Sequence, residues 1–185
     1  MGDPAAKTID AFVLALPETA GSALYGMVDV LAATGTLWRE LVGDDPGQPL
    51  IHPRVVSLSR APFTCGNGIP VSPELAIDEV CEAAIVILPE LWLAPSDDMR
   101  ERYPEVKDWI RRQHQAGSTI YSACSGSVLL ASTGLLNGRD ATSHWGLHRP
   151  VSEKISRRPI QSRAEPRFRR SDRTHRDGRR DDVVA

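Results

Sequence analysis

The stretch "STIYSACSGSVLLASTGLL" (residues 118–136) decides the fold, because it joins a strand pattern to a helix pattern through one cysteine. Residues 118–124 form a short apolar run that predicts a buried strand. Residues 125–136 begin with helix-capping residue types and continue as an apolar helix. Such a turn presents a nucleophile above the carboxyl edge of a sheet, with small neighbours that let a substrate approach. The pattern therefore predicts a nucleophile elbow at Cys124.

Strand and helix patterns alternate along the chain on the N-terminal side of this turn. Further strands are predicted at 8–16, 53–59 and 83–89, helices at 23–35 and 97–117, and a tight turn joining two short strands at 65–74. This alternation indicates parallel βαβ units. The expected fold class is α/β, a three-layer sandwich with a mostly parallel sheet.

The composition is typical of a soluble globular domain, with 41% apolar and 25% charged residues among 185. No apolar run approaches the roughly 20 residues that span a bilayer, and no signal peptide is recognisable. The cysteines are odd in number and lack metal-ligand spacing: Cys65, Cys81 and Cys124. We therefore expect a cytoplasmic protein without a disulfide, a metal, a cofactor or a membrane partner.

Basic charge is concentrated at one end of the chain. Residues 149–185 hold 12 of the 22 Lys and Arg residues but 6 of the 24 Asp and Glu residues. The few apolar residues of this tail follow no period, so it cannot bury enough apolar surface to offset its ordering entropy. We predict a folded domain at 1–148 and an Arg-rich disordered tail at 149–185. Electrostatic binding of nucleic acid by the tail is the rival interpretation.

The pattern around Cys124 leaves two interpretations open. A thiol at the start of a helix is placed for nucleophilic chemistry, and His144, 20 residues later, is a candidate base or orienting group. Cys124 is equally well explained as a small buried apolar residue.

The longer segment "YSACSGSVLLASTGLLNGRDATSHWG" (121–146) resembles the cysteine elbow of the ThiJ/PfpI branch of the class I glutamine amidotransferase-like superfamily. It is more similar still to the N-terminal domain of AraC-type transcriptional regulators that carry this fold. Residues 15–35 and 91–117 resemble the same subfamily. The resemblance covers about residues 8–148 and implies a flavodoxin-like amidotransferase fold, incomplete at its C-terminal end.

The resemblance assigns Cys124 to the elbow cysteine and His144 to a histidine found downstream in several members. Ser125 stands where relatives with a Cys-His dipeptide have histidine. Many active members place an acid after the first strand, close to the cysteine. The alignment puts about Ala23 there, and the register of the nearby Glu18 does not match, so this acid is expected to be missing.

Enzymes of the group often have Pro-Gly-Gly after the central strand, and a backbone N–H of that motif helps to form the oxyanion site. This chain has "LPELW" (88–92), which places Glu90 and Leu91 at the two glycine positions. An anionic intermediate beside Glu90 is poorly stabilised. Glu90, Leu91, Ser125 and Gly126 are therefore predicted to line a ligand pocket.

These departures favour a ligand-sensing, non-catalytic domain of an AraC-family regulator that lacks its helix-turn-helix part. The expected partners are an unknown small molecule and a second copy in a homodimer, with no specific DNA binding by this chain alone. The alternative is a cysteine-dependent ThiJ/PfpI-type hydrolase, hydratase or glyoxalase-like enzyme that uses Cys124. A third interpretation is a defective gene product.

The tail also suggests a frameshift. The family continues with a strand reading much like "VTAGG", and codons for "RDGRR" (176–180) can encode those residues when read one nucleotide later. The nucleotide sequence of the gene tests this hypothesis.

Overall fold

The computed structural model describes residues 7–45, 47–80, 82–94, 96–139, 141–142 and 183–184. Its strands are β1 (Ile9–Leu14), β2 (Ile51–Ser57), β3 (Phe63–Cys65), β4 (Ile69–Val71), β5 (Leu75–Ala76), β6 (Ile85–Leu88), β7 (Thr119–Ser122) and β8 (Val183–Val184). Its helices are α1 (Gly21–Ala32), α2 (Leu37–Leu41), α3 (Pro104–Ala116) and α4 (Gly126–Ser132).

The main sheet is parallel, as the alternating pattern predicts. Its strands lie in the order β5-β2-β1-β6-β7-β8, and each neighbouring pair is parallel. The apolar strands β1 and β6 lie in the middle of the sheet, where Val13, Val86 and Leu88 are buried. The neighbouring β7 buries Ile120 but leaves Tyr121 exposed. The α/β fold with a mostly parallel sheet is confirmed.

Two apolar cores separate the sheet from its helices and make three layers. Leu24 of α1 packs with Val13 on one face of the sheet. Trp109 of α3 and Leu129 of α4 pack with Leu14 on the other face. Because alternate residues of β1 point to opposite faces, one strand contributes to both cores.

The third helix is shorter than predicted and begins at Pro104. Proline lacks the N–H that a helix leaves unpaired in its first turn, so it starts this helix instead of interrupting it. The short elements α2 and β5 were not predicted, because two to five residues carry no readable period. The predicted tight turn is confirmed as the β3–β4 hairpin, with Asn67 and Gly68 at φ +61° and +74°.

Part of the predicted disordered tail lies in the sheet. Val183–Val184 forms β8, which pairs in parallel with Ile120–Tyr121 of β7. Residues 143–182 lie outside the described part of the chain. Within the described part, no helix is long and apolar enough to cross a membrane.

Candidate active site at the carboxyl edge of the sheet

The loops that follow β1, β6 and β7 meet at one edge of the sheet. Since these three neighbouring strands are parallel, their carboxyl ends lie side by side, where open α/β sheets bind ligands. The loop after β6 carries Glu90 and Leu91, and the turn after β7 carries Cys124 and Ser125. The fold therefore brings these sequence-predicted residues together.

Cys124 occupies a tight turn between β7 and α4. Its φ of +50° is uncommon for a residue other than glycine and stores backbone strain. The Ala123 N–H donates to the Leu88 carbonyl oxygen at 3.0 Å, and the Gly126 N–H donates to the Ala123 carbonyl oxygen at 2.8 Å. The thiol is exposed to solvent, so the turn presents it at the edge of the sheet and does not bury it.

Gly126 lets α4 pack directly against the end of β6. A Cβ atom at this position would lie 2.4 Å from the Leu88 carbonyl oxygen and 2.6 Å from that of Pro89. Both neighbours are backbone atoms that cannot rotate away. Glycine is therefore required here for close packing of the helix and the strand.

Ser125 is buried and bonds both backbone groups of Leu91. Its hydroxyl accepts from the Leu91 N–H at 2.8 Å and donates to the Leu91 carbonyl oxygen at 2.6 Å. Leu91 is itself buried. The N–H at the second glycine position of the resembled enzymes is therefore already satisfied inside this protein.

A carboxylate does reach the cysteine, but it comes from the loop after β6 and not from the loop after β1. The Cys124 thiol donates a long hydrogen bond to Glu90, with 3.9 Å between Sγ and Oε1. The Ala20 N–H donates to the Glu90 carbonyl oxygen at 2.8 Å and ties this loop to the one after β1. Glu90 was identified as an obstacle at the oxyanion position, but its contact with the sulfur depends on the pairing of β6 with β7.

Glu18, the acid that follows β1, is held by the start of α3. Its carboxylate accepts from the Arg102 guanidinium and from the Tyr103 hydroxyl, the latter at 2.8 Å. Tyr103 has φ +53°. Burial raises the pKa of Tyr103, against the opposite effect of the Arg102 charge. The acid in contact with Cys124 is thus Glu90, while Glu18 pairs with α3.

Trp92 is a rim residue that the sequence did not single out. Its backbone N–H donates to the Glu18 carbonyl oxygen at 2.7 Å, while the residue stays 58% exposed. The indole lies against Gly66 in the turn of the hairpin, where a Cβ atom would come within 2.6 Å of the ring. An exposed tryptophan in a loop is a weak sequence signal without the neighbouring elements.

The other predicted site features have mixed outcomes. His144 lies outside the described residues, so its role stays a prediction. Cys65 is a buried free cysteine, and burial raises the pKa of its thiol. Within the described ranges, no group of three His, Cys, Asp or Glu residues could hold a metal ion.

A family model for the DJ-1/PfpI family matches residues 34–161. The chain belongs to the DJ-1/PfpI family. This membership agrees with the α/β fold and its parallel main sheet.

Known proteins of two kinds are similar to this family member. The HTH-type transcriptional regulator CdhR of Pseudomonas aeruginosa is 31% identical over 91 residues, which cover 49% of this chain and 26% of CdhR. Isonitrile hydratase of Pseudomonas putida is 27% identical over 135 residues, which cover 73% of this chain and 52% of the hydratase. The chain therefore spans about a quarter and about half of the lengths of these relatives.

An AraC family transcriptional regulator from Pseudomonas putida has a similar crystal structure. The TM-score is 0.61 at 16% identity, with 85% of this chain and 77% of that chain covered. At this identity the likeness shows the shared fold alone.

Proposed function

We propose that this chain is a ligand-sensing, non-catalytic DJ-1/PfpI-type domain of an AraC-family transcriptional regulator. The observation that carries the proposal is the pair of hydrogen bonds between Ser125 and Leu91, which takes up a backbone N–H at the expected oxyanion position. The similarity to CdhR supports the regulator class.

The chemistry of acyl transfer explains why this observation matters. A tetrahedral intermediate needs preorganised donors where its negative charge develops, and removal of one such donor lowers kcat by about 10²–10³-fold. Here the Leu91 N–H is bonded to Ser125, and the Glu90 carboxylate lies beside the sulfur. This arrangement opposes an oxyanion, while it leaves the exposed thiol and the Glu90 carboxylate side by side for recognition of a ligand.

The proposed ligand pocket has a buried floor and an exposed acidic side. Leu91, Ser125 and Gly126 are buried and hold the loop after β6 against α4. Cys124 is exposed and Glu90 is half-buried, so these two side chains are accessible to a ligand. A small molecule bound here would contact the ends of β6 and β7 together.

A second copy of the chain is the proposed macromolecular partner. Three apolar residues of α2 are exposed, Leu37 by 49%, Trp38 by 74% and Leu41 by 72%. Their spacing places them on one side of the helix. An uncharged apolar surface is self-complementary and can pack on its own copy about a two-fold axis.

The remaining features of the proposal come from the sequence. The division into a domain at 1–148 and a tail at 149–185, the cytoplasmic location and the frameshift stay predictions. Sequence-specific DNA binding is assigned to a helix-turn-helix module of the regulator, and not to this domain.

Ligand binding and turnover together test the proposed function. Wild-type protein and the Cys124→Ala variant are incubated with isonitriles, amides and reactive carbonyls, and product is measured with each. We expect no turnover that depends on Cys124. A panel of small metabolites should contain a compound that raises Tm without being consumed, as binding to the native state requires. Turnover lost in Cys124→Ala would refute the non-catalytic assignment.

A cysteine-dependent enzyme is the second candidate function. The similarity to isonitrile hydratase and the contact of Cys124 with an acid, Glu90, favour it. Cys124 would then be the nucleophile and His144 a base or orienting group. Isonitrile hydration that is lost in both Cys124→Ala and Glu90→Gln would support this candidate.

A further inference from the structure

We infer that the site at Cys124 discriminates by charge: it disfavours anionic ligands and takes neutral or cationic ones. Glu90 is the specificity-determining residue, and Ser125 is a positioning residue. This inference rests on the proposed sensing function, since it names the class of ligand that the same site takes.

The first step is the unneutralised charge of Glu90. Its Oε1 lies 3.9 Å from the exposed sulfur, and its backbone is held by the hydrogen bond from Ala20. None of the ion pairs in the described part of the chain involves Glu90. An anion at the sulfur therefore approaches a carboxylate that has no cation bound to it.

The second step concerns the backbone donors that usually compensate an anion. The Leu91 N–H is bonded to Ser125, and the Trp92 N–H is bonded to the Glu18 carbonyl oxygen. Both backbone N–H groups are therefore already hydrogen-bonded within the protein. An anion beside the sulfur therefore meets the negative charge of Glu90 without either of these two donors to offset it.

The third step concerns α4, whose start would ordinarily favour an anion. This helix is only seven residues long. Its first residue, Gly126, packs against the carbonyl oxygens of Leu88 and Pro89, which are the negative ends of two peptide dipoles. The packing that requires glycine thus also places partial negative charge around the helix start.

These three steps specify the chemistry of the ligand. A group that donates a hydrogen bond, such as an ammonium, an amidinium or an amide N–H, can bond the Glu90 carboxylate beside the sulfur. A carboxylate or phosphate at the same place finds no free donor among the Leu91 and Trp92 amides. The ligand therefore meets Glu90 through a neutral or positive donor group.

A pair of thiol reagents that differ in charge tests the inference. In both 2-aminoethyl and 2-sulfonatoethyl methanethiosulfonate, the cysteine thiolate attacks the sulfenyl sulfur, a disulfide bond forms, and methanesulfinate leaves with the electron pair. The rate at Cys124 is read from the mass of the peptide that contains it. A free thiol such as N-acetylcysteine supplies the intrinsic ratio of the cationic to the anionic rate.

We expect the ratio of the cationic to the anionic rate at Cys124 to exceed that of the free thiol by about tenfold at low ionic strength, and to fall with added salt. Glu90→Gln should bring the ratio to within about twofold of the free thiol, whereas Glu90→Asp should retain most of the preference. The matched control is Glu40→Gln in α2, which removes the same charge from an exposed position outside the Cys124 site.

Ser125→Ala tests the role of Ser125, because it removes the hydroxyl that bonds the Leu91 N–H and retains the Glu90 carboxylate. The anionic reagent should react faster in this variant, with a smaller change for the cationic reagent.

A wild-type ratio equal to that of the free thiol, or a ratio unchanged by Glu90→Gln, overturns the inference. Substrate turnover would instead refute the sensing function and leave the measured charge preference as it stands, so the two failures are distinguishable.

Discussion

At the scale of single residues, the site depends on backbone geometry more than on the identity of its one cysteine. Cys124 is exposed in a turn with φ +50°, and this turn lies close to β6 because Gly126 has no Cβ atom. Ser125 then bonds both backbone groups of Leu91. The sequence identifies these residues, but only the structure shows that their atoms lie less than 4 Å apart and therefore interact.

Replacing Gly126 by alanine should destabilise the fold. The new Cβ atom would meet two backbone oxygens at 2.4 and 2.6 Å, so we expect a loss of about 1–3 kcal/mol in the free energy of unfolding. Gly26→Ala is the matched control, because Gly26 lies in α1 with nothing within 4 Å of an added Cβ atom. That variant should be up to about 1 kcal/mol more stable than wild type. Urea unfolding measures both changes, and equal effects would contradict the packing argument.

The two described cysteines should differ in reactivity. Cys124 is exposed, while Cys65 is 3% exposed and burial raises the pKa of its thiol. At pH 8 we expect alkylation of Cys124 in the native protein and protection of Cys65 until the chain unfolds. The reaction of Cys65 should accelerate only at higher pH, where its thiolate forms. Peptide mass spectrometry follows each site, and equal native rates would show that the hairpin core is open.

At the scale of elements, the start of α3 and the loop after β1 stabilise each other. Pro104 begins the helix, and the preceding Tyr103 takes a left-handed conformation that points its hydroxyl to Glu18. The helix pattern by itself extended to residue 97, because the intervening charged residues are compatible with helix. In the structure, residues before Pro104 are not helical, and Tyr103 instead contacts Glu18.

Tyr103→Phe should lower the free energy of unfolding by about 1 kcal/mol near neutral pH, because the Glu18 carboxylate loses one donor. The pKa of Tyr103 is raised, so the folded state keeps this proton to a higher pH than the unfolded state does. This contribution is complete below about pH 10, the ordinary tyrosine value, and is lost as the pH rises through the raised value. Stability of the wild type should therefore fall more steeply above pH 10 than that of the variant. Parallel curves would contradict the assignment.

At the scale of the whole molecule, the parallel sheet gathers residues from distant parts of the chain. Glu90 and Cys124 are 34 residues apart and meet because β6 and β7 are parallel neighbours. The helices on the two faces leave α2 with its apolar side exposed. We expect a protein with this exposed apolar surface to associate with itself.

The proposed dimer predicts that polar substitutions on α2 change the assembly. Trp38→Glu combined with Leu41→Lys leaves the net charge unchanged and should convert a dimer to a monomer in analytical ultracentrifugation, with little change in Tm because neither side chain is in a described core. Glu40→Gln on the same helix is the control and should leave the assembly unchanged. A monomeric wild type, or a dimer that survives the double substitution, would place the interface elsewhere.

The order of strands and helices, the parallel sheet and the turn at Cys124 were predictable from the sequence. Long apolar runs and turn residues carry a period that a single chain reveals. The short elements α2 and β5 were missed, and the strand at Val183–Val184 appeared in a segment whose composition favours disorder. Local patterns miss such pieces because pairing with a neighbour, and not intrinsic preference, orders them.

The family resemblance named candidate residues for the site, but it did not give their contacts. The resemblance of "LPELW" to the family's Pro-Gly-Gly motif implied that Glu90 and Leu91 lie near Cys124, and Ser125 followed from the turn. Three contacts could be seen only in the folded chain. Glu90 contacts the thiol, and Ser125 bonds the Leu91 N–H. Arg102 and Tyr103 donate to Glu18.

The sequence by itself determined the α/β class and the turn at Cys124, because apolar periodicity and turn chemistry are local properties. The resemblance of its motifs to a known family added the family and the residues expected at the carboxyl edge of the sheet. Only the tertiary structure decided which acid touches the cysteine and which backbone donor is already bonded. The physical reason is range: a hydrogen bond acts over about 3 Å, and residues far apart in the chain come within that distance only after the strands pair and the helices pack.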